Sequence, residues 1–279
     1  TFKRVYVRDC DETTEVGLFA HGYEYKLFGF IPTDRHLIGM SDRSLRAEDH
    51  IYLLGTDKQG RDMYSRLIFG TRVSLTIGLF GVVLSIFLGI FLGAISGFYG
   101  GLIDNLIQRV VEIVRSIPAI PLYMGMAAAF PQDWSILRIY FAITIVISLF
   151  AWTDLARVIR GKFLSMRDED FVMAALIAGA SQRRIIFRHM LPSFYSHIIA
   201  AASLALPFMI ITETTLSFLG LGLRPPAISW GVLLKDAQNV QTIALTPWLL
   251  IPAIPVIVVI LALNFMGDGL RDAADPYSS

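Results

Sequence analysis

The stretch VSLTIGLFGVVLSIFLGIFLGAIS, from Val73 to Ser96, decides the fold because it contains no charged side chain. About 20 consecutive apolar residues form a helix long enough to cross the hydrocarbon core of a bilayer. The stretches 193–212 and 237–267 also lack Asp, Glu, Lys and Arg. The sequence therefore predicts an all-α integral membrane protein.

The composition agrees with a membrane protein and argues against several other classes. Of the 279 residues, 54% are hydrophobic and 17% are charged, whereas soluble domains carry about 25% charged residues. The formal net charge is only +1, which offers no argument for nucleic-acid binding. Cys10 is the single cysteine, so we expect neither a disulfide framework nor a cysteine-based metal cluster.

The apolar pattern divides the chain into three parts. Residues 1–70 are polar and mixed, with strand-like alternation at 4–7 and 23–25. Residues 71–270 are expected to form a transmembrane domain, and 271–279 a short tail. The domain is expected to contain five spans, at about 72–97, 103–130, 137–160, 193–220 and 246–267.

The basic residues predict how the chain is oriented. The loop 161–192 is rich in Lys and Arg, while 131–136 contains neither. Because short loops rich in Lys and Arg stay in the cytoplasm, the loop 161–192 and the tail are expected inside and the N-terminal segment outside. That topology requires a helix before Thr1. Since the chain opens without Met, we expect that helix in a longer natural protein.

One face of the first span carries a glycine at every fourth position. Gly89, Gly93 and Gly97 form this stripe, and small residues at this spacing allow a second helix to approach closely. The stripe therefore predicts a tight helix–helix contact. The alternative is that glycine is simply common in membrane helices.

The loop 161–192 has the pattern of a helix–turn–helix outside the bilayer. Phe171, Ala174, Ala175 and Ala178 share one helical face, and Gly179 is a natural break. The second helix is predicted to have an apolar side, a basic rim and a proline end. The apolar side consists of Ile185, Ile186, His189 and Met190, and the basic rim of Arg183, Arg184 and Arg188. Pro192 is expected to end this helix and can begin the next span. Such a knob suits docking into a groove on a partner protein, although an interfacial amphipathic hairpin is an alternative.

This loop resembles the EAA loop of ABC importer permeases, which inserts a coupling helix into a cleft of the ATPase subunit. Met173 stands where that loop has its name-giving Glu, and His189 where many families have Ile. The missing Glu affects one polar contact to the ATPase and leaves the docking itself in place. The resemblance implies these ATPase-coupling residues: Ala174, Ala175, Gly179, Ala180, Arg183, Arg184, His189, Leu191 and Pro192.

Motifs from residue 52 to the end resemble the dipeptide/oligopeptide/nickel permease family, and within it the second of two sister permeases. They include Gly55-Thr56-Asp57, Gly97-Phe98-Tyr99-Gly100-Gly101, Leu216-Ser217-Phe218-Leu219-Gly220 and Ser229-Trp230-Gly231. The resemblance implies the transmembrane domain of a type I ABC importer for di- and oligopeptides in the bacterial cytoplasmic membrane. It also implies three kinds of partner protein: a sister permease, two P-loop ATPase subunits that bind ATP and Mg, and an external substrate-binding protein.

Other classes of function remain open at this point. The sequence has no G-x-x-x-x-G-K-[ST] motif, so we expect a non-catalytic subunit without a cofactor of its own. The cargo could instead be nickel, an opine or an oligosaccharide. A secondary transporter driven by an ion gradient, or a membrane scaffold or receptor, is the alternative from another class.

Four charged residues are candidates for the translocation path or a gate. Glu213 lies inside an apolar span, where a carboxylate usually faces a cavity or a polar partner; packing between helices is the slightly favoured alternative. Asp154 and Arg157 have the spacing of an i, i+3 pair, and Glu112 or Arg115 is their expected partner in a cytoplasmic gate. A solvated basic helix end explains them equally well.

Overall fold

The computed structural model describes residues 15–27, 30–40, 52–131 and 133–274. The chain divides into two compact units, Thr1–Thr56 and Asp57–Ser279. In the first unit, β1 (Val16–Leu27) and β2 (Ile31–Met40) form an antiparallel hairpin. The alternation predicted at 23–25 lies inside β1, while 4–7 and Cys10 lie outside the described residues.

The second unit is helical. Four segments are long and apolar enough to cross a membrane, and a bent helix pair gives a fifth candidate. The four segments are Met63–Tyr99, Ile136–Met166, Gln182–Phe218 and Pro247–Ala273. The helices are α1 (Met63–Tyr99), α2 (Gly101–Ser116), α3 (Ala119–Ala128), α4 (Ile136–Met166), α5 (Asp170–Ile177), α6 (Gln182–Arg184), α7 (Tyr195–Phe218), α8 (Trp230–Lys235), α9 (Val240–Leu245) and α10 (Ala253–Ala274).

Helix α1 begins earlier than the hydropathy pattern predicts, because a polar cap starts it. The Asp62 carboxylate accepts hydrogen bonds from the backbone N–H groups of Tyr64 and Ser65 at 3.2 and 2.9 Å. Such a cap satisfies donors that the first helical turn leaves unpaired. The predicted boundary at residue 70 therefore falls inside a helix.

Asp57 organises the turn before this cap. Its carboxylate accepts hydrogen bonds from the Gln59 and Arg61 backbone N–H groups at 2.8 and 3.0 Å and lies 3.3 Å from Arg66 Nε. Burial raises the pKa of the Asp57 carboxyl group, but the hydrogen bonds from Arg61 and Gln59 and the charge of Arg66 outweigh burial. The pKa of Asp57 is therefore held below its ordinary value.

The glycine stripe of α1 packs directly against α4, as predicted. A Cβ atom added at Gly93 would lie 2.6 Å from the Ala156 carbonyl oxygen, and one at Gly89 would lie 2.9 Å from Leu155 Cβ. No side chain fits at these distances. Helices α1 and α4 are therefore in close contact along this stripe, backbone to backbone at Gly93.

The predicted second span, 103–130, is not one straight helix. It consists of α2 and α3, which are bent by 84° relative to each other. Ile117 between them is extended, with φ −92° and ψ 128°. The physical reason is Pro118, because the residue before a proline is driven out of the helical region.

Among the groups of buried side chains in this unit, two bear on the candidate site. The first joins α1, α3, α4, α7 and α8 and includes Ile77, Tyr123, Ile147 and Met209. The second joins α1 and α4 to the segment after α4 and includes Phe163 and Phe194. The second group positions the segment that carries the predicted docking residues.

Candidate functional site

The predicted loop 161–192 begins inside a helix, since α4 continues to Met166. Its last turns stay helical because Ile159 and Phe163 are fully buried and hold them to the core. The non-membrane segment is therefore shorter than expected. We call residues 170–194 the docking segment, which starts at α5.

Gly179 ends α5 at the position where the sequence predicts a break. Its φ is +76°, in the left-handed region that favours glycine. The backbone N–H of Gly179 donates to the Leu176 carbonyl and that of Ala180 donates to the Ala175 carbonyl, each at 3.0 Å. These two bonds are a Schellman motif, which satisfies the last carbonyls of a helix and reverses the chain.

The second half of the docking segment continues into α7, so Pro192 does not close a separate helix but lies where the next span begins, as the sequence also allowed. After α6, the chain forms a π-helical turn over Ile185–Met190 and a 3-10 turn over Leu191–Phe194. Pro192 sits in the first turn of that 3-10 segment, where a missing N–H is tolerated. The docking segment is therefore continuous with a candidate membrane helix.

One side of the docking segment is anchored in the core. Val172, Ile185 and Met190 are fully buried, and they pack in the group that contains Phe163 of α4 and Phe194. The rings of Phe163 and Phe194 meet edge to face at 5.5 Å. Burying each large apolar side chain contributes about 1.5–3 kcal/mol, so this anchor resists separation of the segment from α4.

The opposite side carries exposed apolar residues. Ile177 at the end of α5 is 85% exposed, and Phe171, Met173 and Leu176 are each more than 40% exposed. The predicted face of Phe171, Ala174, Ala175 and Ala178 does not pack on this chain: only Ala175 is half-buried against the core. The reason is that Val172, on another face, is the residue that fills the core.

The other predicted coupling residues differ in how far they are exposed. Ala180 is half-buried in the turn, and Arg183 and Arg184 are exposed. In the second half, His189 is half-buried, Leu191 is buried and Pro192 is exposed. We define the docking tip as Phe171, Met173, Leu176, Ile177, Arg183 and Arg184.

The predicted gate residues pair in part as expected, since Arg115 is one of the two partners expected across the helices. Asp154 is paired with Arg115 of α2, and no ion pair between Asp154 and Arg157 occurs among the described residues. Glu112 pairs instead with Arg109 on its own helix at 3.1 Å. Because Arg115 comes from a neighbouring helix, the contact that forms links α2 to α4.

An ion pair that the sequence did not assign lies nearby. Arg160 of α4 donates two hydrogen bonds to the Asp104 carboxylate of α2, at 2.5 and 2.6 Å. Ser96 of α1 also hydrogen-bonds to Asp104 and accepts from Gln108 at 3.1 Å. In the sequence, 56 residues separate Asp104 from Arg160, and no local spacing indicates their contact.

Glu213 is fully buried and lies among hydroxyl groups. Its Oε1 accepts from Ser217 Oγ at 2.8 Å, and its Oε2 lies 3.5 Å from Ser74 Oγ of α1. The same two hydroxyl oxygens accept from the Leu223 and Trp230 backbone N–H groups, at 3.0 and 3.1 Å. Glu213 thus connects α1, α7 and the segment before α8, which fits the packing interpretation.

We expect the substitution Glu213→Gln to leave transport within about twofold of wild type, because serine hydroxyls can donate or accept. Glu213→Leu removes the acceptor, leaves buried hydroxyl donors unpaired at about 1–3 kcal/mol each, and should abolish assembly. The measurement is substrate uptake at equal membrane expression. Loss of uptake in the Gln variant would favour the path role instead.

The helical arrangement defines a class of fold, the transmembrane domain of ABC importers. One similar structure is a chain of the MetNI methionine ABC transporter in inward-facing conformations. The structural alignment covers 76% of this chain and 98% of the MetNI chain, with a TM-score of 0.59 and 17% sequence identity. The alignment with a chain of an amino acid ABC transporter with histidines covers 75% of this chain and 94% of that chain, with a TM-score of 0.55 and 15% sequence identity.

The sequence places the chain within one family of that class. The family described as "Binding-protein-dependent transport system inner membrane component" matches residues 66–277, and the chain belongs to it. The oligopeptide transport system permease protein OppC of Salmonella typhimurium is 41% identical over 89% of this chain and 79% of its own length. OppC of Haemophilus influenzae is 41% identical over 81% of this chain and 70% of its own length.

Proposed function

We propose that this chain is the permease subunit of an ATP-driven importer for di- and oligopeptides and that residues 170–194 couple it to a separate ATPase. The observation that carries the coupling proposal is the two-sided docking segment. Its inner side is fully buried against α4, while its tip exposes apolar and basic residues. An exposed apolar patch with a polar rim is typical of a surface that binds another protein.

The geometry supports a mechanism in which the docking segment moves with the membrane helices. A force applied to the tip reaches α4 through Val172 and Phe163, and reaches α7 because the chain stays helical from Gln182 to Phe218. Packed cores transmit displacement because they have low compressibility. Closure of ATP-bound ATPases would therefore tilt α4 and α7, and the chain itself would bind neither ATP nor Mg.

The proposal includes the partners and the orientation. Two permeases, this chain and a sister, would enclose one path, with two P-loop ATPases on the cytoplasmic side and a substrate-binding protein outside. The docking segment and the tail would lie in the cytoplasm and the N-terminal segment outside. The peptide cargo is supported by 41% identity to oligopeptide permeases.

The first experiment is affinity purification of the tagged full chain from its native membrane, with mass spectrometry of the co-purified proteins. Reconstitution with those proteins then tests ATP-driven uptake of di- and oligopeptides, with nickel, an opine and an oligosaccharide as competing cargoes. The proposal requires co-purified P-loop ATPases and uptake of peptides. Uptake driven by an ion gradient, by the chain alone, would contradict it.

Substituting Gly179 is expected to uncouple ATP hydrolysis from transport. A residue with a Cβ atom in the left-handed region costs about 1–2 kcal/mol, and this cost falls on the turn that presents the docking tip. Gly179→Val should therefore lower uptake per ATP hydrolysed at least severalfold, while Gly179→Asn should be tolerated better, since Asn visits this region more readily.

The matched control is Gly161 of α4. A Cβ atom added at either Gly161 or Gly179 would meet no atom within 4 Å, but only Gly179 has a positive φ. Gly161→Ala should keep normal coupling. Equal coupling in Gly179→Val and Gly161→Ala would show that the turn does not present the tip to an ATPase.

A further inference from the structure

A cavity of about 260 Å³ lies at the end of α4 opposite the docking segment. It is lined by Ile136 and Ile139 in the first turns of α4, while the docking segment follows the last turn at Met166. A helix of this length spans about 45 Å. The cavity therefore lies on the face where, under the proposed function, the cargo arrives.

The cavity wall combines flat apolar groups with one cation. Phe130 and Trp134 stack with their ring centroids 5.5 Å apart and their planes 17° apart, and Pro225 and Pro226 lie on the wall next to Arg224. Arg224 is half-buried, and within the described ranges, 15–27, 30–40, 52–131 and 133–274, no carboxylate is paired with it. A half-buried guanidinium that lacks a carboxylate partner favours an anionic ligand, above all a carboxylate.

The segment that carries Arg224 is fixed before any ligand binds. Gly220 turns the chain at the end of α7, where the Leu221 N–H donates to the Leu216 carbonyl at 2.9 Å. Leu223 is 1% exposed, and its N–H donates to Ser217 Oγ, which in turn donates to Glu213. A preorganised wall avoids the entropy cost of ordering it on binding.

We propose that this cavity binds the C-terminal residue of a peptide, with its carboxylate on Arg224 and its side chain against Phe130 and Trp134. The inference rests on the proposed function and names a recognition element within it. The volume is slightly below the roughly 300–1,000 Å³ of pockets for drug-sized ligands, so it fits one peptide end and not a whole oligopeptide. Charge complementarity selects a free carboxylate over an amide.

The test uses the assembled transporter in phosphatidylcholine nanodiscs, without its external binding protein. Equilibrium binding of a radiolabelled tripeptide, alanyl-alanyl-phenylalanine, is compared with that of its C-terminal amide. Wild type should bind the free acid about tenfold or more tightly than the amide. Arg224→Gln should bind both equally, and Arg224→Lys should keep part of the preference. Arg138→Gln, an exposed arginine on α4, is the matched control and should keep all of it.

Several outcomes would overturn the inference: no binding of the tripeptide to wild type, equal binding of acid and amide, or an unchanged preference in Arg224→Gln. Retention of a phospholipid by wild type and its loss in Arg224→Gln, with no carboxylate preference, would assign the cavity to a lipid headgroup. ATP-driven uptake is measured on the same preparation. If wild type imports peptides but lacks the preference, only this inference fails; if wild type imports no peptide, the proposed function fails.

Discussion

Replacing Gly97 with alanine is expected to destabilise the membrane domain by about 3 kcal/mol, near the upper end of overpacking effects. The added Cβ atom would lie 2.5 Å from Phe163 Cβ and 2.7 Å from the Arg160 carbonyl oxygen. That carbonyl belongs to the backbone of α4, so it cannot move away without displacing the helix. Since Phe163 also anchors the docking segment, we expect a lower unfolding temperature and a lower ATPase rate together.

The control for this prediction is Gly125, an exposed glycine inside α3. A Cβ atom added there meets nothing within 4 Å, and alanine gains up to about 1 kcal/mol over glycine in a helix interior. Gly125→Ala should therefore be neutral or slightly stabilising. Thermal unfolding of the detergent-solubilised protein, followed by circular dichroism, measures both variants. Similar unfolding temperatures for the two variants would contradict the close contact between α1 and α4.

Hydropathy predicted the apolar segments well, because the bilayer imposes a minimum length on them. It misplaced their ends where a polar group decides the helix boundary, as Asp62 does for α1. The prediction from apolar runs missed the bend between α2 and α3, although Pro118 marks the position of the bend in the sequence. Helix ends and bends depend on single residues, whereas the position of a membrane span depends on the average hydropathy of about 20 residues.

The sequence could not tell which apolar residues of the docking segment face the chain itself. Val172 and Phe171 are adjacent and both apolar, yet Val172 is fully buried and Phe171 is 43% exposed. The choice depends on the position of Phe163 in α4, which only the tertiary structure provides. Periodicity therefore predicted two apolar helices, but it did not identify Val172 as the residue that anchors the first of them to the core.

Residues distant in sequence were the hardest to predict. The cavity joins the turn between α3 and α4 to the segment after α7, and no Asp or Glu stands near Arg224 in the sequence to single it out. In contrast, Gly179 and the glycine stripe were predicted because backbone conformation and close approach depend on the residue itself. A sequence therefore shows local constraints on the backbone, but it does not show which distant residues contact each other.

Substituting Asp104 with alanine is expected to cost roughly 2–4 kcal/mol of stability, because it leaves the Arg160 guanidinium without its partner. The side chain of Asp104 is 15% exposed and that of Arg160 is 29% exposed, so water replaces the lost carboxylate only in part. The measurement is the unfolding temperature together with uptake per ATP hydrolysed. The double variant Asp104→Ala/Arg160→Leu should lose less stability than the sum of the single variants, since it removes both charges.

The exposed pair on the same helix provides the control for Asp104. In the pair between Arg109 and Glu112, the side chains are 73% and 58% exposed, and such surface pairs contribute about 0–1 kcal/mol. Glu112→Ala should therefore leave stability almost unchanged, whereas Asp104→Ala lowers it. If both variants had the same small effect, the contact between Asp104 and Arg160 would not hold α2 against α4. If Glu112→Ala alone impaired uptake, the gate role predicted for Glu112 would regain support.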